Sequence, residues 1–311
     1  MKGTFYLVLT GVLLGTTGIW AKLVGASVSP FLLTILRTIL SAAMILALII
    51  ISKKINTKQN LGIKKSDLPL FVAAGFFGVT IGFGFYIKSF AYIPVANAVA
   101  LVYVYPVATS ILSYVFLKEK MTRGELAANA LIICGILAIY GPEINVAASV
   151  FGNMLALVAG VGYSVFIVFM RYFERKGMPY WKVTFWPLLI GGLLLVLFLP
   201  FEPMSFSPTG LVPLFIAGIA VSSFLGYIFY AEGLKTVRAH DSVIISTLIE
   251  PLSAIAIAFA ILSEAVPENV LIGAAIIIAA NVLIGIEHRK KHAAKCKSAS
   301  KKPQECFGWT W

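Results

Sequence analysis

Long, uninterrupted runs of apolar residues dominate the pattern along the chain, separated by short polar or basic stretches. Ten runs are long enough to cross a bilayer as an α-helix, which needs roughly 20 residues. They cover residues 5–24, 30–51, 68–87, 94–117, 123–141, 150–170, 183–200, 209–230, 240–263 and 269–286. The apolar positions within them are continuous rather than alternating, which argues against membrane-spanning strands. The pattern predicts an all-α polytopic membrane protein with ten transmembrane helices.

Composition agrees with this interpretation. The chain has 311 residues, of which 59% are apolar and 12% are charged. Because a soluble domain carries about 25% charged residues, there is too little polar surface here to coat one, and a water-soluble globular protein is excluded. The first apolar run is longer than the core of a typical signal peptide, so we expect it to be a retained first helix.

The net charge of +12 reports orientation in the membrane. All but three of the 25 lysines and arginines fall in alternate gaps between the predicted helices or in the two terminal segments; the exceptions are Lys22, Arg37 and Lys88. The other gaps contain Glu143, Glu202, Glu264 and Glu268. By the positive-inside rule, we expect a multi-pass protein of the cell membrane with both termini in the cytoplasm. The charge is then no sign of nucleic-acid binding.

The two halves of the chain resemble each other at a near-constant separation. Gly11, Pro69-Leu70-Phe71, Phe85-Tyr86 and Pro106 recur as Gly160, Pro213-Leu214-Phe215, Phe229-Tyr230 and Pro251. We therefore predict a first five-helix repeat over residues 1–141, a second over 142–287, and a basic cytoplasmic tail over 288–311 that is disordered or rests on anionic headgroups. An odd number of helices per repeat makes the repeats inverted, a construction used by many secondary transporters.

Several short motifs also resemble a known family. They are Leu13-Leu14-Gly15 with Trp20, Pro30 with Leu36-Arg37-Thr38, the run from Pro106 to Leu117-Lys118-Glu119-Lys120-Met121-Thr122, and Ile249-Glu250-Pro251 with Leu262-Ser263-Glu264. In their order and duplication they resemble the EamA-type branch of the drug/metabolite transporter superfamily. The resemblance implies ten helices around a central cavity and no ATPase subunit. It implies no particular substrate.

Two ionisable residues lie inside predicted helices. Glu250 is near the centre of the ninth helix, where an ionised carboxylate is costly unless it is paired or hydrated, so it is a candidate for substrate binding or for carrying a coupling proton. The alternative is that Glu250 only makes hydrogen bonds between helices. Arg37 lies within the second helix, where it binds an anionic group of the substrate or holds the bundle together.

Prolines, aromatic residues and neutral polar residues complete the candidate site. Pro106 and Pro251 each free a backbone carbonyl, at Val102 and at Thr247, and predict kinks beside a cavity. Aromatic side chains interleave with these positions, as cavity lining or as core packing: Trp20, Tyr86, Tyr103, Tyr105, Tyr163, Trp186, Tyr227 and Tyr230. Asn97 and Thr247 offer neutral hydrogen-bonding groups. The histidines form no cluster, so we expect no metal site and no cofactor.

The leading hypothesis is a secondary active transporter that moves a small organic metabolite by alternating access, with the bilayer, the solute and a coupling proton as partners. The sequence also allows a homodimer. The sequence contains no P-loop, HExxH or GxSxG motif, so an enzyme is not expected. The alternatives are a polytopic enzyme acting on a lipid-linked substrate, which would need clustered acids or an acid with a histidine, and a channel, which would need a polar filter.

Overall fold

The computed structural model describes residues 2–52, 61–118, 121–140, 147–234, 239–263 and 266–298, and nearly all of them are helical. The α-helices are α1 (Lys2–Gly15), α2 (Thr17–Val24), α3 (Pro30–Ile51), α4 (Leu68–Ala73), α5 (Gly84–Ser89), α6 (Val95–Val102), α7 (Tyr105–Leu117), α8 (Arg123–Tyr140), α9 (Ala147–Arg175), α10 (Tyr180–Leu194), α11 (Val212–Leu234), α12 (Ala239–Leu262) and α13 (Glu268–Ser298). Within these ranges the extended pairing is limited to one antiparallel bridge between Val28 and Phe206.

Eight helical segments of the described chain are long and apolar enough to cross a membrane. They are Lys2–Ser27, Pro30–Ile51, Leu68–Ser89, Val95–Phe116, Val150–Met170, Tyr180–Phe201, Val212–Gly233 and Glu268–Glu287. The prediction of an all-helical membrane protein is thus confirmed. The remaining two predicted spans, 123–141 and 240–263, coincide with α8 and α12, which are helical but not among the eight; α12 contributes the shorter apolar helix Leu248–Leu262.

Some boundaries differ from the predicted ones. The last helix continues to Ser298, beyond the predicted end at residue 286, so the first part of the predicted disordered tail is helical. Its lysine, arginine, alanine and glutamate residues favour a helix once the apolar part has nucleated it. Residues 299–311 of the predicted tail lie outside the described residues.

A ten-residue π-helical segment, Ala74–Phe83, joins α4 to α5 within one membrane span. π-helical turns are rare and are frequent at functional sites. Its glycines allow neighbouring helices to approach closely: an ideal Cβ on Gly75 would lie 2.9 Å from the backbone nitrogen of Gly191, and one on Gly82 would lie 3.2 Å from that of Tyr163. The segment is therefore packed directly on α9 and α10.

The helices pack so that each half of the chain contacts the other. In one set of contacts α1 packs on α11 and α12; in another α9 packs on the π-helical segment and on α7. Helix α3 packs on α10 and α11, while α8 packs on α13. Buried residues from both halves, Val95, Ala98, Leu101, Ala156, Ile219 and Ala254 among them, belong to one continuous apolar cluster.

Candidate functional site

A cavity of about 60 Å³ lies between helices of both halves. It contains one cationic side chain, Arg37, and one carboxylate, Glu250. The other residues around it are Leu14, Thr17, Gly82, Phe83, Tyr86, Val102, Tyr103, Tyr105, Tyr163 and Tyr227. Because a cavity larger than about 15 Å³ can hold a water molecule, this one has room for several waters or a small ligand.

Arg37, in the first half of α3, is 4% exposed. Its Nε donates a hydrogen bond of 2.7 Å to Ser223 Oγ, which in turn donates one of 2.7 Å to the carbonyl of Ile219 on α11. The guanidinium also interacts electrostatically with Tyr227 and lies 5.0 Å from the ring centroid of Phe83. One nitrogen, Nη1, is buried without a hydrogen-bond partner. Arg37 thus ties α3 to α11 and keeps one donor free.

Glu250 lies near the middle of α12, immediately before Pro251, and is half-buried. Its carboxylate accepts a hydrogen bond from the Tyr103 hydroxyl and interacts electrostatically with Arg37. No ion pair of 4.0 Å or less joins these two charged groups, both of which the structure describes. A carboxylate and a guanidinium therefore share one cavity without neutralising each other directly.

Close contact with α1 positions the Glu250 turn of α12. An ideal Cβ on Gly11 would lie 2.7 Å from Ile249 Cβ, and one on Gly15 would lie 2.7 Å from the carbonyl oxygen of Glu250. Ser253 Oγ donates hydrogen bonds to the carbonyls of Gly11, at 3.2 Å, and Glu250, at 2.9 Å. Only glycine allows backbones to approach this closely.

A break between α6 and α7 brings two tyrosines to the cavity. Because Pro106 has no N–H and restricts the residue before it, α6 ends at Val102 and α7 begins at Tyr105, with Val104 N donating to the carbonyl of Leu101 over 3.1 Å. Pro106 thus begins a new helix, whereas Pro251 lies within the continuous helix α12. The ring of Tyr105 lies 5.3 Å from that of Tyr103 and 5.2 Å from that of Tyr163.

The structure brings seven of the sequence-derived candidates to the cavity: Arg37, Tyr86, Tyr103, Tyr105, Tyr163, Tyr227 and Glu250. The others lie elsewhere. Trp20 Nε1 donates to Thr16 Oγ1 and Ser222 Oγ, both at 3.0 Å, and Trp186 Nε1 donates to the carbonyl of Leu61 at 2.7 Å. Tyr230 packs against Tyr180 with a centroid separation of 5.9 Å.

Two polar candidates complete the comparison. Asn97, on α6, is absent from the cavity lining and has a buried Oδ1 that lacks a hydrogen-bond partner. The side chain of Thr247 lies outside the described part of the chain.

Sequence reasoning missed four cavity residues, Leu14, Thr17, Gly82 and Phe83, and it named Val102 only for the carbonyl that Pro106 frees. The spacing of Leu14 and Thr17 places them on one helix face, a signal that could have found them once Arg37 or Glu250 was assigned to the cavity. Gly82 and Phe83 belong to the π-helical segment, whose register does not follow the α-helical period. Across the described residues, no three His, Cys, Asp or Glu side chains are grouped to hold a metal ion.

The apolar helices define a multi-pass membrane protein with a polar cavity inside its helix bundle. Residues 1–141 and 150–286 both match the EamA-like transporter family, and the chain belongs to this family, as its motifs indicated.

Relatives point the same way. An uncharacterized transporter of Archaeoglobus fulgidus is 26% identical over 64% of this chain and 68% of its own length. The uncharacterized transporter YyaM of Bacillus subtilis is 25% identical over 82% of this chain and 85% of its own. A solved crystal structure, 20% identical, superposes with a TM-score of 0.65 over 93% of this chain and 98% of that one, which supports the fold. The family and these names indicate transporters rather than enzymes.

Proposed function

We propose that the protein is a secondary active transporter that moves a small organic metabolite, such as an amino acid or an amine, across the cell membrane by alternating access. One observation carries the proposal: a transporter-family helix bundle encloses a cavity with a buried guanidinium and a carboxylate. Charged groups inside a membrane bundle are costly and typically mark a solute or ion path.

Matching contacts in the two halves support an inverted pair of five-helix repeats over residues 1–141 and 142–287. Gly11 packs on Ile249 and Glu250, and its sequence counterpart Gly160 packs on Val102 and Val104. Likewise, Gly226 packs on Leu14. Gly82, the counterpart of Gly226, packs on Tyr163, which is the counterpart of Leu14. The same contact therefore occurs once in each direction between the two halves. Ten membrane crossings, with both termini and the segment from residue 288 in the cytoplasm, complete the proposed topology.

Contacts between the halves at one end of the bundle support a closed face in this conformation. Chain segments next to α3 and α11 pair through Ser29 N to the carbonyl of Ser205, at 3.0 Å, and Ser207 N to that of Ser27, at 2.8 Å. Glu202 lies beside them, with Oε2 3.4 Å from Lys88 Nζ. By the proposed topology this is the non-cytoplasmic end. Alternating access requires these contacts to separate.

At the other end, Asp67 and Lys176 join the halves through an ion pair of 2.9 Å. Hydrogen bonds with Tyr172 and Asp67 raise the pKa of Lys176, so its ammonium group remains charged at neutral pH. The Lys176 side chain is 41% exposed but that of Asp67 is 6% exposed, so water reaches the ammonium group while the carboxylate depends on its partners in the protein.

Proton coupling through Glu250 is part of the proposal, because the carboxylate shares the cavity with Arg37 and accepts a hydrogen bond from Tyr103. The test uses purified protein in liposomes, radiolabelled solutes and an imposed pH gradient. We expect saturable uptake that follows the gradient, and a Glu250→Gln variant that no longer responds to it. If Glu250→Gln transports with an unchanged response to the gradient, Glu250 does not carry the proton. Glu268→Gln, which removes an exposed carboxylate, is the matched control.

A further inference from the structure

We propose that the cavity binds a compact zwitterion, with the ligand carboxylate on Arg37 and the ligand ammonium on Glu250. This inference rests on the proposed transport function, for which it names the substrate class. The residues that carry it are Arg37, Glu250 and the tyrosines around them.

At the cationic end of the site, the guanidinium is held in place but one of its nitrogens lacks a hydrogen-bond partner. Arg37 has its Nε committed to Ser223 and its guanidinium 5.0 Å from the ring centroid of Phe83, and these contacts hold the guanidinium in place. Nη1 is left buried without a partner, although an unsatisfied donor on a charged group is expensive. A carboxylate is the small group that best completes a guanidinium, because its oxygens match the planar N–H donors.

The anionic end lies on a different helix. Glu250 accepts one hydrogen bond from Tyr103, and its half-buried carboxylate retains further acceptor capacity toward the cavity. Aromatic rings of Tyr86, Tyr103, Tyr105 and Tyr163 surround the same space. Ring faces attract a desolvated ammonium group, and a carboxylate beside them adds a charged partner. This end therefore suits a cation.

The two ends together disfavour ligands of a single charge. Arg37 and Glu250 attract each other across the cavity without a direct ion pair in the described structure, so an anion on Arg37 weakens the attraction on the carboxylate, and a cation on Glu250 weakens that on the guanidinium. Burying a charge without a partner is strongly unfavourable. A ligand with both charges compensates each residue and adds no net charge to the cavity.

The volume limits the ligand size. The cavity of about 60 Å³ is only a few times larger than the roughly 10–15 Å³ that a single water requires, so it holds a few waters as it stands. A ligand of this cavity therefore has few non-hydrogen atoms. Glycine, L-alanine and L-serine are therefore the probes that fit the cavity as it stands.

Isothermal titration of the purified protein with three compounds of equal size tests the inference. L-alanine carries both charges, L-lactate only the anion, and L-alaninamide only the cation. We expect L-alanine to bind about 10- to 100-fold more tightly than either, since each charged contact contributes one charge-assisted hydrogen bond. Equal or tighter binding of L-lactate or L-alaninamide, or no binding of glycine, L-alanine and L-serine, overturns the inference.

Two variants assign the ends separately. In Glu250→Gln, binding of L-alanine should fall to the level of L-lactate, while binding of L-lactate is retained. In Arg37→Met, the affinity for L-alanine should fall to that for L-alaninamide, while the affinity for L-alaninamide is retained. Glu268→Gln and Arg123→Met, which remove exposed charges of the same kinds, should bind all three compounds as the unmodified protein does.

If each variant loses affinity for a different compound, the two residues contact the ligand. A variant that only loosens the fold would weaken the binding of all three compounds alike. That result would contradict the inference. If Arg37→Met does not fold, Arg37→Lys replaces it; we expect Arg37→Lys to keep the charge but lose L-alanine affinity because lysine cannot reach Ser223 and a ligand carboxylate together. An Arg37→Lys protein with unchanged L-alanine affinity contradicts the assignment.

Liposome uptake separates this inference from the proposed function. Saturable uptake of L-alaninamide or L-lactate without L-alanine uptake would leave a transporter standing and reject the zwitterion. Tight binding of L-alanine without uptake of any of the three compounds would keep the site and reject transport.

Discussion

Glu202 links the two halves of the chain at one end of the bundle, and replacing it with glutamine should destabilise the protein. Its side chain is 4% exposed; Oε1 accepts a hydrogen bond of 2.9 Å from the backbone N–H of Phe31, and Oε2 lies 3.4 Å from Lys88 Nζ. Phe31 is in the first turn of α3, whose N–H groups have no partners within the helix, and a negative charge is favourable there. Lys88 also lies 4.2 Å from the ring centroid of Phe31.

The magnitude follows from what glutamine keeps. Glu202→Gln retains an oxygen acceptor for Phe31 but loses the charge, so one charge-assisted hydrogen bond becomes neutral and the attraction to Lys88 disappears. We expect the free energy of unfolding to fall by about 1–2 kcal/mol, which lowers Tm by a few degrees. Differential scanning fluorimetry in detergent measures the shift.

The matched control is Glu268→Gln, because Glu268 also lies in the first turn of a helix, α13, but is exposed; Glu268→Gln should therefore lower Tm by less than Glu202→Gln does. In a double-mutant cycle, Lys88→Met with Glu202→Gln should cost less than the sum of the single changes. A Glu202→Gln protein as stable as the Glu268→Gln control, or strictly additive changes, would refute the assigned role of Glu202.

Three further predictions address the closed face, the helix contacts and the cavity. With the native cysteines replaced by serine, Val28→Cys with Phe206→Cys should form a disulfide across the bridged segments that stops transport until a reductant is added; unchanged transport by the oxidised protein would contradict alternating access through this face. Gly160→Ala places a Cβ 2.5 Å from the carbonyl oxygen of Val102 and should cost about 1–3 kcal/mol, measured as Tm; Val158→Ala, at an exposed position of the same helix, should cost less, and equal losses would argue against the close contact. Tyr103→Phe removes the hydroxyl that donates to Glu250 and should weaken L-alanine binding without changing L-lactate binding, by isothermal titration; equal weakening of both would contradict the assignment.

Much of the helical architecture could be predicted from the sequence because continuous apolar runs leave few alternatives. The predicted run 30–51 is the helix Pro30–Ile51, with Pro30 in its first turn. Breaks were harder to locate. The structure interrupts the run 94–117 at Tyr103 and Val104, two residues before the proline that causes the interruption, because Pro106 has no N–H for the carbonyl of Val102 and its ring clashes with that carbonyl.

The candidate site could be predicted where a residue type is costly in an apolar run. Arg37 and Glu250 stood out for this reason and do lie at the cavity. Trp20 and Trp186 do not line the cavity, because their indole N–H groups donate to Ser222 and to the carbonyl of Leu61. These partners are distant in sequence, so the sequence did not reveal them. Phe83 could not be placed because a π-helical segment changes the direction of its side chain relative to an α-helix.

The most direct test of the central claim, secondary active transport, is uptake of radiolabelled solute into liposomes containing the purified protein, with and without an imposed pH gradient. The proposed function predicts uptake that saturates with solute concentration, requires the protein and increases in one direction of the gradient without ATP. Flux that rises linearly without saturation, or no protein-dependent flux for zwitterionic, anionic and cationic solutes alike, would contradict it.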